Sequence, residues 1–222
     1  MNSLFLFWRE AIANPLMTGA VGPSSPSVAK SMAAPLTRKK GPAKVLEVGP
    51  GTGAVTEAIL EHLGPEDSLD LCELNPKFAS WLRMKFGTPR SGWPTIRVLE
   101  GDFLQLAPGP YDFVISSVPC SNLQPDQVRS LLGGLVERVT ADGTLSCLHY
   151  RGQGLRSRLA VGPERHRLRQ VLTIISGFNR RHGVAKDTVW LSIPPAEIHY
   201  LRREPRPAAP AARPRQLFPW RR

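Results

Sequence analysis

Lys44-Val45-Leu46-Glu47-Val48-Gly49-Pro50-Gly51-Thr52-Gly53-Ala54 begins as a strand and ends as a turn into a helix. The apolar residues on either side of Glu47 read as a short buried strand. The glycines at every second position then force a tight turn into an amphipathic run from Ala54 to Leu63. Without a Cβ, residues 49, 51 and 53 can take positive φ and approach a ligand closely, and the helix that follows points its free N–H groups at the same place. A nucleotide-like ligand suits such a turn, although a plain glycine-rich turn would read the same way in isolation. The next element decides between them. Leu69-Asp70-Leu71-Cys72-Glu73-Leu74 is a second strand whose Glu73 lies 20 residues past Gly53, where a carboxylate can accept hydrogen bonds from both ribose hydroxyls.

Glu47-x-Gly49-x-Gly51-x-Gly53, the acid Glu73 closing strand two and Gly101-Asp102-Phe103 closing strand three resemble the cofactor motifs of class I S-adenosylmethionine-dependent methyltransferases. The spacing is G-x-G-x-G, not the G-x-G-x-x-G of dinucleotide binders, which favours a methyl donor over a nicotinamide. The resemblance implies an α/β fold, a Rossmann-like doubly wound seven-stranded sheet, here with an N-terminal helical extension. It implies S-adenosylmethionine as cofactor, bound by Glu47, Gly49, Gly51, Gly53, Glu73, Asp102 and Phe103. In this superfamily the position of Asp102 contacts the adenine amino group.

A chain of 222 residues fits one such domain with short extensions and can bury a sizeable core. Cys72, Cys120 and Cys147 fall singly on or beside strands without metal-ligand spacing, so they read as reduced core thiols and no metal is expected. The net charge of +11 is unevenly spread: +5 over residues 1–44, −6 over 45–150, +7 over 151–182, −1 over 183–200 and +6 over 201–222. An acidic cofactor core flanked by basic segments points to a polyanionic surface, anionic lipid or nucleic acid.

Residues 3–13 place Leu4, Phe5, Trp8, Ala11 and Ile12 along one helical face. The run is too short to span a bilayer and lacks a basic start, so it is neither a transmembrane helix nor a signal peptide. It either packs on the domain or lies in a lipid interface. Gly19-Ala20-Val21-Gly22-Pro23-Ser24-Ser25 resembles a segment of bacterial phospholipid N-methyltransferases and ornithine lipid N-methyltransferases. Ser27 is expected to cap a helix running to Leu36, and Arg38-Lys39-Lys40 to form a solvated linker. The domain organisation is therefore read as amphipathic N-terminal helices and linker over 1–40, a methyltransferase domain over 41–203, and a disordered basic tail over 204–222 in which Phe218 and Trp220 could touch a membrane.

Further along, Pro76–Phe86 reads as a helix, Ile96–Asp102 as strand three with its terminal acid, and Tyr111–Ser117 as the fourth strand. Ser116-Ser117-Val118-Pro119 follows at the place where methyl acceptors enter in related enzymes. Adenine-modifying methyltransferases carry an aromatic ring after the proline there, and this chain has Cys120. Stacking on such a ring is worth about 1–3 kcal/mol per base, so its loss argues against a flipped adenine. Pro125–Val139 reads as a helix and Gly143–Tyr150 as strand five, which brings His149 and Tyr150 beside the cofactor loop. Residues 151–182 hold Arg151, Arg156, Arg158, Arg165, Arg167, Arg169, Arg180 and Arg181, a solvated face or a phosphate-binding one. Leu168, Val171, Leu172 and Ile175 mark the other face. Asp187–Ile193 and Ala196–Arg202 read as a closing hairpin, and V-W-L-S-I-P-P-A-E-I-H-Y-L-R-R over 189–203 again resembles the lipid N-methyltransferases.

The resemblance thus implies an enzyme that successively methylates the amino head group of a membrane lipid, phosphatidylethanolamine or an ornithine lipid. Ser117, His149 and Tyr150 are its candidate catalytic residues, holding the amine or relaying its proton. The expected partners are that aminolipid and an anionic membrane surface, met by the N-terminal helix and the arginine-rich segments. The expected location is the cytoplasm, peripherally on the inner face of the membrane. The alternative is an rRNA or other nucleic-acid adenine N6-methyltransferase, favoured by the arginines and disfavoured at position 120; a non-catalytic binding module is the third. The residues leave open which lipid is used, how many methyl groups are added and the oligomeric state.

Overall fold

The computed structural model describes residues 24–151, 157, 159–192 and 194–204. The amphipathic run over 3–13, most of the 19–25 segment, Arg156, Arg158 and the tail with Phe218 and Trp220 lie outside them. Alternation of strands and helices is carried by β1 (Lys44–Val48), α2 (Ala54–Leu60), β2 (Ser68–Glu73), α3 (Pro76–Phe86), β3 (Thr95–Glu100), α4 (Phe103–Leu106), β4 (Tyr111–Ser116), α5 (Pro125–Glu137), β5 (Val139–Tyr150), α6 (Gly162–His182), β6 (Gly183–Val189) and β7 (Ala196–Leu201), with α1 (Pro26–Ala33) ahead of them. The strands form one seven-stranded sheet in the order β3-β2-β1-β4-β5-β7-β6. β1 to β5 run parallel and β7 is antiparallel to both its neighbours. This is the doubly wound α/β fold that the motifs imply.

Burial explains the order. β1 and β2 are buried on both faces along nearly their whole length, as interior parallel strands are, with Glu47, Asp70 and Glu73 among the buried side chains. The strands at either end of the sheet, β3 and β6, expose much of their length. Val45, Leu69 and Ile115 belong to the core under α1 and α2, while Leu46, Val114 and Leu145 belong to the core under α5 and α6. Val28 and Met32 of α1 are fully buried in the first of these cores. The three cysteines are free and buried, and burial pushes the Cys72 and Cys120 thiols up to about 12.

Several boundaries differ from the sequence reading, each for a local reason. Ser25, not Ser27, caps α1: its Oγ accepts from Val28 N at 3.4 Å, and Pro26 takes the first helical position. The helix gives way at Ala34 to a 3₁₀ turn, Ala34–Arg38. α2 stops at Leu60, and Val139 opens β5 instead of closing α5. β6 begins at Gly183, directly after α6. Val184 to Asp187 are all exposed, so no alternation of apolar residues marks its start. Ion pairing adds a link across the sheet: Arg97 on β3 grips Asp70 on β2 at 2.7 and 2.6 Å, and the Tyr111 hydroxyl donates to Asp70 at 2.7 Å.

Candidate active site

β1 lies between β2 and β4, where the sheet changes its winding direction, and the glycine turn leaves it at the carboxyl edge where ligands collect in such sheets. Gly49 N donates to Cys72 O at 2.9 Å, and Ser117 N to Val48 O at 3.2 Å, so the turn begins wedged between two strand ends. Gly51 and Gly53 have φ of 57° and 85°, values that side-chain-bearing residues rarely adopt. Their surroundings differ. A Cβ on Gly53 would lie 2.5 Å from the Phe86 ring, whereas one on Gly51 would meet nothing within 4 Å. Gly53 is therefore required by packing, and Gly51 faces open space. Trp81 on α3 holds the turn from behind, its Nε1 donating to Thr52 O at 3.2 Å.

That open space is a cavity of about 560 Å³ whose walls include Gly49, Gly51, Glu73, Asp102, Phe103 and Tyr150, a size usual for a cofactor site. Glu73 is 6% exposed. Its Oε2 accepts from Gly51 N and its Oε1 from Asn75 N, both at 2.9 Å. Burial raises its pKa above the ordinary carboxylate value against the lowering effect of these N–H groups. Glu47 sits lower on β1. Its Oε2 accepts from Thr56 Oγ1 at 2.6 Å, while Oε1 is buried with no partner among the described residues. Burial lifts Glu47 to about 8, opposed by the Thr56 bond and aided by the Glu73 charge. Asp102 caps α4 through Leu104 N at 2.9 Å. Phe103 is clamped by Arg138, whose guanidinium stacks 5.1 Å from its ring and donates to Leu104 O at 2.6 Å.

A second cavity of about 410 Å³ adjoins the first, and the two share Ser117, Pro119, Leu148 and Tyr150. The sequence reading places His149 with Tyr150 beside the cofactor loop; the structure separates them. Successive residues of a strand face opposite sides, so Tyr150 packs on the α1 side and borders both cavities, while His149 turns toward α6 and lines the second cavity but not the first. Burial is the largest cause that lowers His149, to about 4; His199 at 5.2 Å lowers it further and Glu197 opposes both. Ser117 borders both cavities. Cys120 is buried in the wall of the second cavity.

Arg167 spends its guanidinium inside the protein. It donates to Leu123 O at 2.6 Å and Ser121 O at 3.0 Å and pairs with Glu164 at 2.8 Å, so it pins the segment after β4 onto α6. Arg165, Arg169, Arg180 and Arg181 are exposed. The Glu164 pair was visible as an i, i+3 spacing, but the contacts of Trp81, Arg138 and Arg167 to distant carbonyls leave no trace in local sequence. Among the described residues no cluster of His, Cys, Asp or Glu has the arrangement of a metal site, and no helix is long and apolar enough to cross a membrane.

Residues 45–143 match the family described as a methyltransferase domain. Over that stretch, less than half of the 222 residues, the chain is similar to methyltransferase domains. The chain is similar to an ornithine lipid N-methyltransferase of Singulisphaera acidiphila, with 25% identity over 153 residues that cover 66% of this chain and 77% of the relative. Its fold is similar to that of the N-methyltransferase NodS from Bradyrhizobium japonicum WM9 in complex with S-adenosyl-L-homocysteine, at a TM-score of 0.58 and 16% identity over 91% of this chain and 98% of the other. It is also similar to the mitomycin 7-O-methyltransferase MmcR, at a TM-score of 0.57 and 18% identity over 88% of this chain. The chain spans 60% of the length of MmcR, less than two thirds.

Proposed function

We propose that this chain is an N-methyltransferase that adds methyl groups in succession to the amino head group of a membrane lipid, phosphatidylethanolamine or an ornithine lipid. The observation that carries the reading is the pair of adjoining cavities, one of cofactor size beside the glycine turn and one beyond Ser117, with no aromatic ring at position 120. Similarity to an ornithine lipid N-methyltransferase supports it.

In this reading the Gly49–Gly53 turn lies against the cofactor at the bare face of Gly51, with Glu47 beneath it. Each Glu73 oxygen accepts from a backbone N–H, and the carboxylate, with about four lone-pair sites, keeps acceptor capacity for a ribose hydroxyl. Asp102 accepts from the adenine amine, and Phe103 closes that end. When bound, S-adenosylmethionine supplies a methyl group made electrophilic by its sulfonium charge. An alkyl ammonium with a pKa near ~10 must lose its proton before attack, and a positive donor nearby disfavours the protonated amine. The amine nitrogen would then attack with its lone pair, the N–C bond forming as the C–S bond breaks with its electron pair left on sulfur, and the proton shed beforehand would pass to water. Ser117 and Tyr150 position the nitrogen at the common wall, where orientation supplies most of the acceleration. His149 stays neutral at pH 7 and serves as a hydrogen-bonding group. Its depressed pKa makes it a poor store for a proton.

An anionic membrane surface is the partner that the basic segments suit, through the run over 3–13, Arg165, Arg169, Arg180 and Arg181. The turn between β6 and β7 adds Trp190 and Leu191, 66% and 90% exposed, with the Arg151 guanidinium 4.5 Å over the Trp190 ring. Aromatic and aliphatic groups beside arginine are what an interfacial protein presents to lipid head groups. This reading locates the chain on the cytoplasmic face of the membrane. The same arginines favour an RNA or DNA adenine methyltransferase as the second reading. Incubation with labelled methyl donor and either phosphatidylethanolamine vesicles, ornithine lipid vesicles or RNA separates them. Label is expected in lipid; label in RNA alone overturns the proposal.

A further inference from the structure

Buried polar groups without partners are scarce in folded proteins, and each asks for an explanation. Among the described residues four buried side-chain atoms lack one: Glu47 Oε1, Ser117 Oγ, His149 Nε2 and Asn179 Oδ1. Three of the four, from the segment after β4, from β5 and from α6, line the second cavity. All three can accept a hydrogen bond, His149 in the tautomer protonated on Nδ1. Leaving such a group unsatisfied is costly, so the set suits a guest that brings N–H donors. The other wall carries opposite signs. Glu197 on β7 meets His199 Nε2 at 3.4 Å, Lys186 at 3.3 Å and Arg151 at 3.8 Å. Glu197 is thus shared among neighbours, while the Arg151 side chain remains 42% exposed beside the cavity.

We infer that the second cavity is the acceptor-binding site, that it takes a zwitterionic amine, and that Asn179, Ser117 and His149 receive the amine while Arg151 receives the anionic group. The inference rests on the proposed N-methyltransferase activity and deepens it by naming the head-group chemistry and Asn179 as a specificity residue. Ser117, common to both cavities, fixes the direction of transfer: a nitrogen held there has its lone pair free to face the cofactor cavity. Each methylation removes one N–H donor from the nitrogen, so the acceptor ring loses a partner at every step. Affinity accordingly falls from the primary to the dimethylated amine, which promotes release of the finished product. Phosphate and carboxylate both suit Arg151, so the free head groups and the lipids that carry them share this recognition.

Calorimetric titration of the full chain, with S-adenosyl-L-homocysteine present, tests the assignment. The probes are O-phosphoethanolamine, ornithine, ethanolamine and phosphocholine, together with phosphatidylethanolamine vesicles. Phosphoethanolamine or ornithine is expected to bind at least about tenfold tighter than phosphocholine, which has no N–H. Arg151→Gln should remove the advantage of phosphoethanolamine over ethanolamine. Asn179→Leu should raise the KM for the amine about tenfold or more with S-adenosyl-L-homocysteine affinity unchanged, and Asn179→Asp, which keeps an acceptor oxygen, should restore much of it. Phosphocholine binding as tightly as phosphoethanolamine, or an Asn179→Leu variant with wild-type amine affinity, overturns the inference. Soluble amines that bind through Asn179 while neither lipid is methylated would uphold the cavity and refute the lipid reading. Binding by vesicles alone, unaffected by Asn179→Leu, would do the reverse.

Discussion

The Glu73 carboxylate at the end of β2 accepts a hydrogen bond from the Gly51 amide at 2.9 Å, joining the acid to the turn across two parallel strands. The same side chain accepts from Asn75 N at 2.9 Å through its other oxygen. Glu73 thus needs two acceptor oxygens before any ligand arrives. Glu73→Gln has one; its amide NH₂ must face one of the two backbone donors. The turn then loses its anchor, and a ribose acceptor is lost with it. Affinity for S-adenosyl-L-homocysteine measured by calorimetry is expected to fall about 10- to 100-fold, the equivalent of one hydrogen bond to a charged group. An unchanged affinity would show that Glu73 serves the turn alone.

Gly51 and Gly53 separate binding from folding. Alanine at 53 must hold φ near 85° and drives its Cβ into the buried Phe86 ring; strain and overpacking together cost about 2–4 kcal/mol. Alanine at 51 has free space, so it costs about 1–2 kcal/mol of left-handed strain but puts a methyl where a cofactor would approach. Urea unfolding should find Gly53→Ala the less stable variant. Calorimetry should find Gly51→Ala weakened at least about tenfold toward S-adenosyl-L-homocysteine. Cofactor affinity retained in Gly51→Ala would place the ligand elsewhere.

The parts of the fold that could be read from residues are those where one physical demand acts locally. β1 and β2 need apolar side chains on both faces, and α3 announces itself with Asn75 as cap and Pro76 at its first position. β6 escapes such reading because an exposed edge strand has no apolar face to alternate. The cap is Ser25 and not Ser27 because Pro26, whose fixed φ suits the first helical turn, is the first residue of the helix. Of the site, Glu73, Asp102 and Phe103 come together around one cavity because each ends or follows a parallel strand at the same edge of the sheet. The second cavity was hidden: Ser117, His149, Asn179 and Glu197 belong to four different elements, and only the antiparallel insertion of β7 beside β5 brings them to one space.

Arg167 is a positioning residue for the wall between the two cavities. Its bonds to Ser121 and Leu123 carbonyls hold the segment that carries Ser117 and Pro119 against α6. Lysine keeps the charge but has no planar fork to reach two carbonyls and Glu164 together. Arg167→Lys is expected to lower kcat about 10-fold for methyl transfer while cofactor affinity changes less than about twofold, because the glycine turn is untouched. A purely structural role would lower stability and leave kcat per folded molecule as it was, an outcome that urea unfolding beside steady-state kinetics distinguishes.

Glu47 makes stability depend on pH in a defined window. Burial lifts its folded-state pKa to about 8 from an ordinary value of 4.5, so the folded protein holds a proton that the unfolded chain releases. A raised folded value means that the stabilisation is fully present below the unfolded pKa of 4.5, declines as pH rises and is lost above about 8. The full span corresponds to roughly 5 kcal/mol at 1.36 kcal/mol per pKa unit. Glu47→Gln has the same shape, can still accept from Thr56 and does not titrate. Urea unfolding of both proteins at pH 5, 7 and 8.5 should therefore show the wild type losing stability relative to Glu47→Gln as pH increases, with most of the divergence complete by pH 8.5. Parallel curves over that range would mean that the Glu47 carboxyl ionises at its ordinary pH and that water or a cation reaches Oε1 beneath the turn.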